Sequence, residues 1–134
     1  EPGRAYVYYN PYEDVDWETY GQYKANFHAH TNQSDGSFTP DEVIDKYHGA
    51  GYKILDLTDH DSYGYNADTT WPWTKWDRNP EELGMLAIEG NELSNTDHIG
   101  SLFNDYGGPR AGEEELALQK VRERNGLAIM HHPG

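Results

Sequence analysis

The stretch from Phe27 to Asp61, FHAHTNQSDGSFTPDEVIDKYHGAGYKILDLTDHD, restricts the fold of this chain more than any other. Tyr23 to Ala29 reads as a core strand in which Phe27 and Ala29 face away from His28 and His30. Alternation on a strand sends both imidazoles of an H-x-H pair to one side, where they reach a single ion. A polar loop follows from Thr31 to Phe38, with a turn signal at Ser34-Asp35-Gly36. Thr39-Pro40-Asp41-Glu42 then opens a helix: threonine as cap, proline in the first turn, glutamate completing a capping box. Val43, Ile44 and Tyr47 form its apolar face, and Gly49 to Gly51 ends it. Tyr52 to Thr58 is a second strand that runs directly into Asp59-His60-Asp61. Strands joined through a helix belong to α/β layers or barrels. His28, His30, Asp35 and His60 fall at the strand ends, and imidazole nitrogens with carboxylate oxygens suit zinc, manganese or iron.

Two later segments repeat the theme, EGNELSNTDH from Glu89 to His98 and MHHPG from Met130 to Gly134. With the first stretch they hold all seven histidines, six of them outside the helix. His48, before Gly49, reads as a surface residue of the helix end. Between them lies a long connection, Ser62 to Gly84, carrying Trp71, Trp73 and Trp76, with Pro80-Glu81-Glu82 as one helical turn. The tryptophans either pack a long loop or stack on a sugar or base above the site, and packing is the preferred reading. Met85 to Ile88 is a third strand, Asn95-Thr96 a turn, and Asp97 to Phe103 a fourth strand. Glu113 to Asn125 is the clearest amphipathic helix, acidic at its start, basic near its end and stopped by Asn125-Gly126; Ala117, Leu118 and Val121 form its inner face. Leu127 to Met130 is the fifth strand. Residues 1–22, rich in Tyr and Pro, read as an N-terminal extension with a short edge strand at YVYY, and residues 23–134 as the domain proper.

Composition excludes several classes. Ten basic against 24 acidic residues give a net charge of −14, which disfavours nucleic acid as a partner because phosphates must be met by Lys and Arg. Bound divalent ions add local positive charge that such a count omits, so an acidic surface can surround a site that attracts anions. There is no cysteine, so disulfides and thiolate metal sites are ruled out. No run approaches the roughly 18 apolar residues of a membrane helix. Glu1-Pro2-Gly3 has neither the basic start nor the apolar core of a signal peptide; a cytoplasmic chain and a secreted one with its signal removed both fit. Five strands and about two helices are too few to close a barrel of roughly 200 residues or more, so these 134 residues are expected to be the N-terminal part of a longer protein.

The stretches FHAHTNQSDGSFTPDEVI, LDLTDHD, GNELS followed by HIGSLF, and LAIMHHPG resemble, in order, the motifs of the PHP (polymerase and histidinol phosphatase) family of metal-dependent phosphoesterases. The resemblance implies a distorted (β/α)7 TIM-like barrel with two or three divalent ions, Mn, Zn or Fe, at the C-terminal ends of its strands. It implies that His28 and His30 bind one ion, that Glu92 bridges it to a second held by His98 and His132, and that Asp35 and His60 hold a third. Glu92, His60 and Asp59 are then the residues expected at the reacting centre, and Asp59 or Asp61 is expected to hydrogen-bond a ligand histidine. The D-x-H motif with which the family completes its ligand set does not occur, so the first and third sites each lack a ligand.

Several of these residues have competitors. Glu89 competes with Glu92, and both the family spacing and the alternation after Ile88 favour Glu92. His131 competes with His132, and the family places its ligand directly before proline. Asp35 also suits a plain turn residue. The expected activity is hydrolysis of a phosphate mono- or diester of a small molecule by water activated at a polynuclear metal site. The alternatives are a nuclease acting on DNA or RNA ends and a metal-binding domain without turnover.

Overall fold

The computed structural model of the chain describes residues 10–61 and 70–132. The strand expected at YVYY lies outside these residues. The first strand, β1 (Lys24–Asn26), is shorter than expected, so His28 and His30 stand just beyond it rather than on it. α1 (Pro40–Gly49) begins as the sequence dictates: the Glu42 carboxylate accepts from the Thr39 backbone N–H at 3.0 Å and from its hydroxyl at 3.1 Å. Gly51, at φ +80°, supplies the left-handed residue that lets the chain turn back into β2 (Tyr52–Asp56). A 3-10 turn (Trp73–Trp76), α2 (Pro80–Leu83) and β3 (Leu86–Ile88) follow. β1, β2 and β3 form a parallel sheet in that order. α1 and the 3-10 turn enclose its core of Ala29, Val43, Ile44, Leu55, Leu57, Trp73 and Met85. Trp73 is only 1% exposed within this core, which is the packing reading of the tryptophans.

The second half departs from a parallel α/β pattern. β4 (Gly90–Leu93), β5 (Ile99–Leu102) and β6 (Leu127–Met130) form a separate antiparallel sheet with β5 at its centre. α3 (Glu114–Glu123) buries Ala117 and Val121 against Leu93 and Ile99. Leu118, expected on this inner face, is 47% exposed; the buried stripe is Ala117 and Val121, four residues apart and so on one helix face. The described residues therefore form a mixed α/β arrangement of two three-stranded sheets with no closed barrel. No described helix is long and apolar enough to cross a membrane.

Among the described residues the two sheets are joined by backbone pairing beyond the end of β2. Beyond the end of β2, His60 forms a parallel bridge with Glu92 of β4. The Glu92 N–H donates to the Asp59 carbonyl at 3.1 Å, and the Asp61 N–H to the Glu92 carbonyl at 3.0 Å. On the flanks, the Thr58 N–H donates to the Ala29 carbonyl at 2.8 Å and the His131 N–H to the His98 carbonyl at 3.1 Å. These bonds hold the loops after β1, β2 and β6 and the start of β5 on one side of the molecule. The direction of β5 explains why His98 precedes its strand while His28, His30, His60 and His132 follow theirs.

Candidate metal centre

Glu92 is the centre of the cluster. It stands inside β4, a strand buried along its whole length, and its side chain is 0% exposed. Its two oxygens divide the surrounding imidazoles. Oε2 lies 3.1 Å from His28 Nε2, 2.9 Å from His30 Nε2 and 3.5 Å from His60 Nδ1. Oε1 lies 2.7 Å from His98 Nδ1 and 3.7 Å from His132 Nε2. Burial alone would raise this carboxyl, but hydrogen bonds with His30 and His98 and the charges of His60 and His28 outweigh it and hold Glu92 well below the usual carboxylate range.

Asp35 closes a second group from the loop after His30. One of its oxygens is 3.0 Å from His30 Nδ1 and the other 3.3 Å from His60 Nε2. Burial acts to raise Asp35, and His30 and His60 more than reverse it, so it too is held low. His30 thus touches both acids. Its burial disfavours the charged ring, yet Glu92, Asp35 and Asp59 raise it above the ordinary imidazole value. His28 goes the other way, lowered by burial despite Glu92. Donor atoms capable of sharing an ion converge in three overlapping groups: His28, His30 and Glu92; His30, Asp35 and His60; and His60, Glu92 and His98. His132 lies at the rim, its side chain 60% exposed.

The residues around the ligand candidates fix their orientation. The Ser94 hydroxyl donates to the Glu92 carbonyl at 3.0 Å and so accepts at 2.5 Å from His60 Nδ1–H, which turns the Nε2 lone pair of His60 toward Asp35. Asp59, expected at the reacting centre, directs both oxygens elsewhere: to the Thr31 N–H at 2.8 Å, the Thr31 hydroxyl at 2.9 Å and the Ser34 hydroxyl. It anchors the loop that carries His30 and Asp35. Asp61 accepts from the Ser94 and Gly108 N–H groups, and burial raises it in spite of them. Among the described residues neither aspartate hydrogen-bonds a histidine: Asp59 is taken up by the Thr31 N–H and the Thr31 and Ser34 hydroxyls, and Asp61 by the Ser94 and Gly108 N–H groups; the expected partner role falls to Ser94. His98 has φ 51°, a backbone conformation uncommon outside glycine, and this turns its ring back onto Glu92.

Sequence reasoning missed three residues besides Ser94's role. His131 stacks on His28 with ring centroids 3.8 Å apart, and its Nε2 is buried without a partner against Gly100. Burial and the charge of His28 push its ring down to about 4. Asn26 accepts from the His28 N–H at 3.1 Å while donating to the Tyr47 hydroxyl at 2.6 Å, which ties α1 to the first ligand candidate. Asp56 is fully buried against Gly90 with neither oxygen hydrogen-bonded, and burial beside Glu89 raises it to about 8. The signal for Ser94 lay in its place two residues after Glu92 in GNELS; His131 was marked only as a competitor of His132, and nothing local marked Asn26 or Asp56.

No family model matches the chain. An uncharacterized protein of Methanocaldococcus jannaschii is 25% identical over 122 residues, a match covering 82% of this chain and 67% of the relative. In structure the chain is similar to a two-domain protein of Bacteroides vulgatus containing a predicted PHP-like metal-dependent phosphoesterase, with a TM-score of 0.68 and 22% identity. That similarity covers 84% of this chain and 35% of the solved one, so the chain spans about a third of its length. The likeness is one of fold.

Proposed function

We propose that the chain carries the metal centre of a PHP-type phosphoesterase that hydrolyses small phosphate esters. The observation that carries this reading is the division of Glu92: a fully buried carboxylate, kept ionised, with three histidines about one oxygen and two about the other. A structural core has no use for an ionised acid ringed by imidazoles, whereas two neighbouring cations do. The donor set fits borderline ions: nitrogen and carboxylate oxygen with no thiolate suit manganese, iron or zinc. In this reading His28 and His30 serve one ion, His98 and His132 a second, with Glu92 between them, and Asp35 and His60 a third. The two sheets would form part of a distorted (β/α)7 barrel, a reading supported by the β1-β2-β3 order and the His60–Glu92 bridge.

When bound, such ions acidify a water and neutralise phosphoryl oxygens. The residues of the chain supply the rest. Glu92 is held well below the usual carboxylate range, so near neutrality it would hold cations without competing for protons. Ser94 fixes the tautomer of His60, and Asp59 fixes the loop that presents His30 and Asp35. The net charge of −14 favours a small anionic ester over a polynucleotide.

Turnover of a generic phosphate ester with added manganese, zinc or iron tests this. Wild type should hydrolyse it, chelation should stop it, and His30→Ala or Glu92→Ala should reduce it to background. Equal turnover by wild type and both variants would end the proposal. Metal binding without turnover would leave a binding domain in its place.

A further inference from the structure

A cavity of about 720 Å³ opens over the metal centre, and one wall of it is not made of ligand candidates. That wall comes from Phe38 and from Lys46 and Tyr47 in the last turns of α1. Lys46 is the one Lys or Arg among the described residues lining the cavity. Its ammonium stands 4.2 Å above the centre of the Phe38 ring. The acids of α1 do not pair with it: Asp45 is engaged by Arg78 at 2.6 Å and 2.7 Å, Asp41 lies 3.8 Å from the same guanidinium, and Glu42 accepts from the Thr39 N–H and hydroxyl. Among the described residues Lys46 makes no ion pair. Several described cations make no ion pair, and Lys24 also stands over a ring, that of Tyr52, but Lys46 alone among them lines this cavity. The helix C-terminus adds a reason for a cation at this position, but not for its facing the cavity.

We infer that Lys46, backed by Phe38, selects substrates whose alcohol portion carries a carboxylate in addition to the phosphate bound at the metal centre. This rests on the phosphoesterase reading. The phosphoryl group is met by the histidine and carboxylate side of the cavity, so the α1 wall meets what the phosphate is attached to. A cavity of this volume exceeds a phosphate and holds a small organic group as well. One ammonium balances one negative charge, which matches a carboxylate better than a second phosphate. Phe38, 45% exposed, gives the carbon skeleton an apolar or planar surface to lie on.

The test is binding rather than turnover. Dissociation constants for phenylphosphonate and 4-carboxyphenylphosphonate, two probes that differ by one carboxylate, are measured by calorimetry on the manganese-loaded chain. An exposed ammonium–carboxylate pair gives a preference of about fivefold for the carboxylated probe at low salt. Lys46→Gln should abolish that preference and Lys46→Arg should keep it. Equal affinities in wild type, or a preference that survives Lys46→Gln, would overturn the inference while leaving the metal-site reading intact. Failure of wild type to bind either phosphonate would remove the phosphoesterase reading and this inference with it.

Discussion

At the scale of single residues, the site depends on what surrounds each charge. Glu92 and Asp56 are both fully buried carboxylates, yet one is held low by imidazoles and the other is raised to about 8 by burial and Glu89. For Asp56 the linkage has a definite sign. The unfolded chain releases this proton near pH 4, while the folded chain keeps it to about pH 8, so its contribution to stability falls across that window. Each pH unit within it costs about 1.4 kcal/mol at most. Asp56→Asn should therefore stabilise the fold more at pH 7.5 than at pH 5 in urea unfolding; a gap that does not change with pH would contradict this. Gly100 gives a second prediction. A methyl group there would lie 2.1 Å from His131 Nε2. Gly100→Ala should cost about 1–3 kcal/mol and weaken metal affinity by unseating His131 from His28; unchanged metal affinity would show that the stacking does not position the ligand. Much of this level was legible in the sequence. H-x-H is marked by strand alternation, and Asp35, His60 and Glu92 by the family resemblance, with alternation after Ile88 also favouring Glu92; the structure brings their donor atoms together. Asp59's turn toward Thr31 and the stacking of His131 were not legible, because both depend on partners brought together only by folding.

At the scale of elements, legibility follows apolar pattern. α1, β2, α3 and β6 were readable from caps, stops and clustered aliphatics. β4 was not. Gly90-Asn91-Glu92-Leu93 offers a single large apolar residue, since Glu92 faces the site and Gly90 leaves room for Asp56 beneath it. The antiparallel sense of the second sheet was hidden for the same reason, as a missed strand changes the direction of its neighbours. Helix packing can be tested by a pair of substitutions. Ile44→Ala on α1 removes a side chain with 0% exposure and should cost roughly 2–5 kcal/mol in denaturant unfolding. Leu118→Ala on α3, nearly half exposed, should change stability by no more than about 0.5 kcal/mol. A large loss at Leu118 would mean that the outer face of α3 is packed.

At the scale of the molecule, two sheets of different type are joined by a bridge that contains two of the ligand candidates, His60 and Glu92. The site is therefore also the seam, and ions bound there should stabilise the whole fold by mass action. The acidic chain of net charge −14 concentrates six of its seven histidines around this seam. Elemental analysis reads whether this convergence of imidazoles on one carboxylate holds metal. Protein purified without chelator or added metal should carry at least two manganese, iron or zinc ions per chain, and Glu92→Gln should lose them. A wild-type chain free of metal, or a Glu92→Gln chain that retains its full complement, would contradict the account.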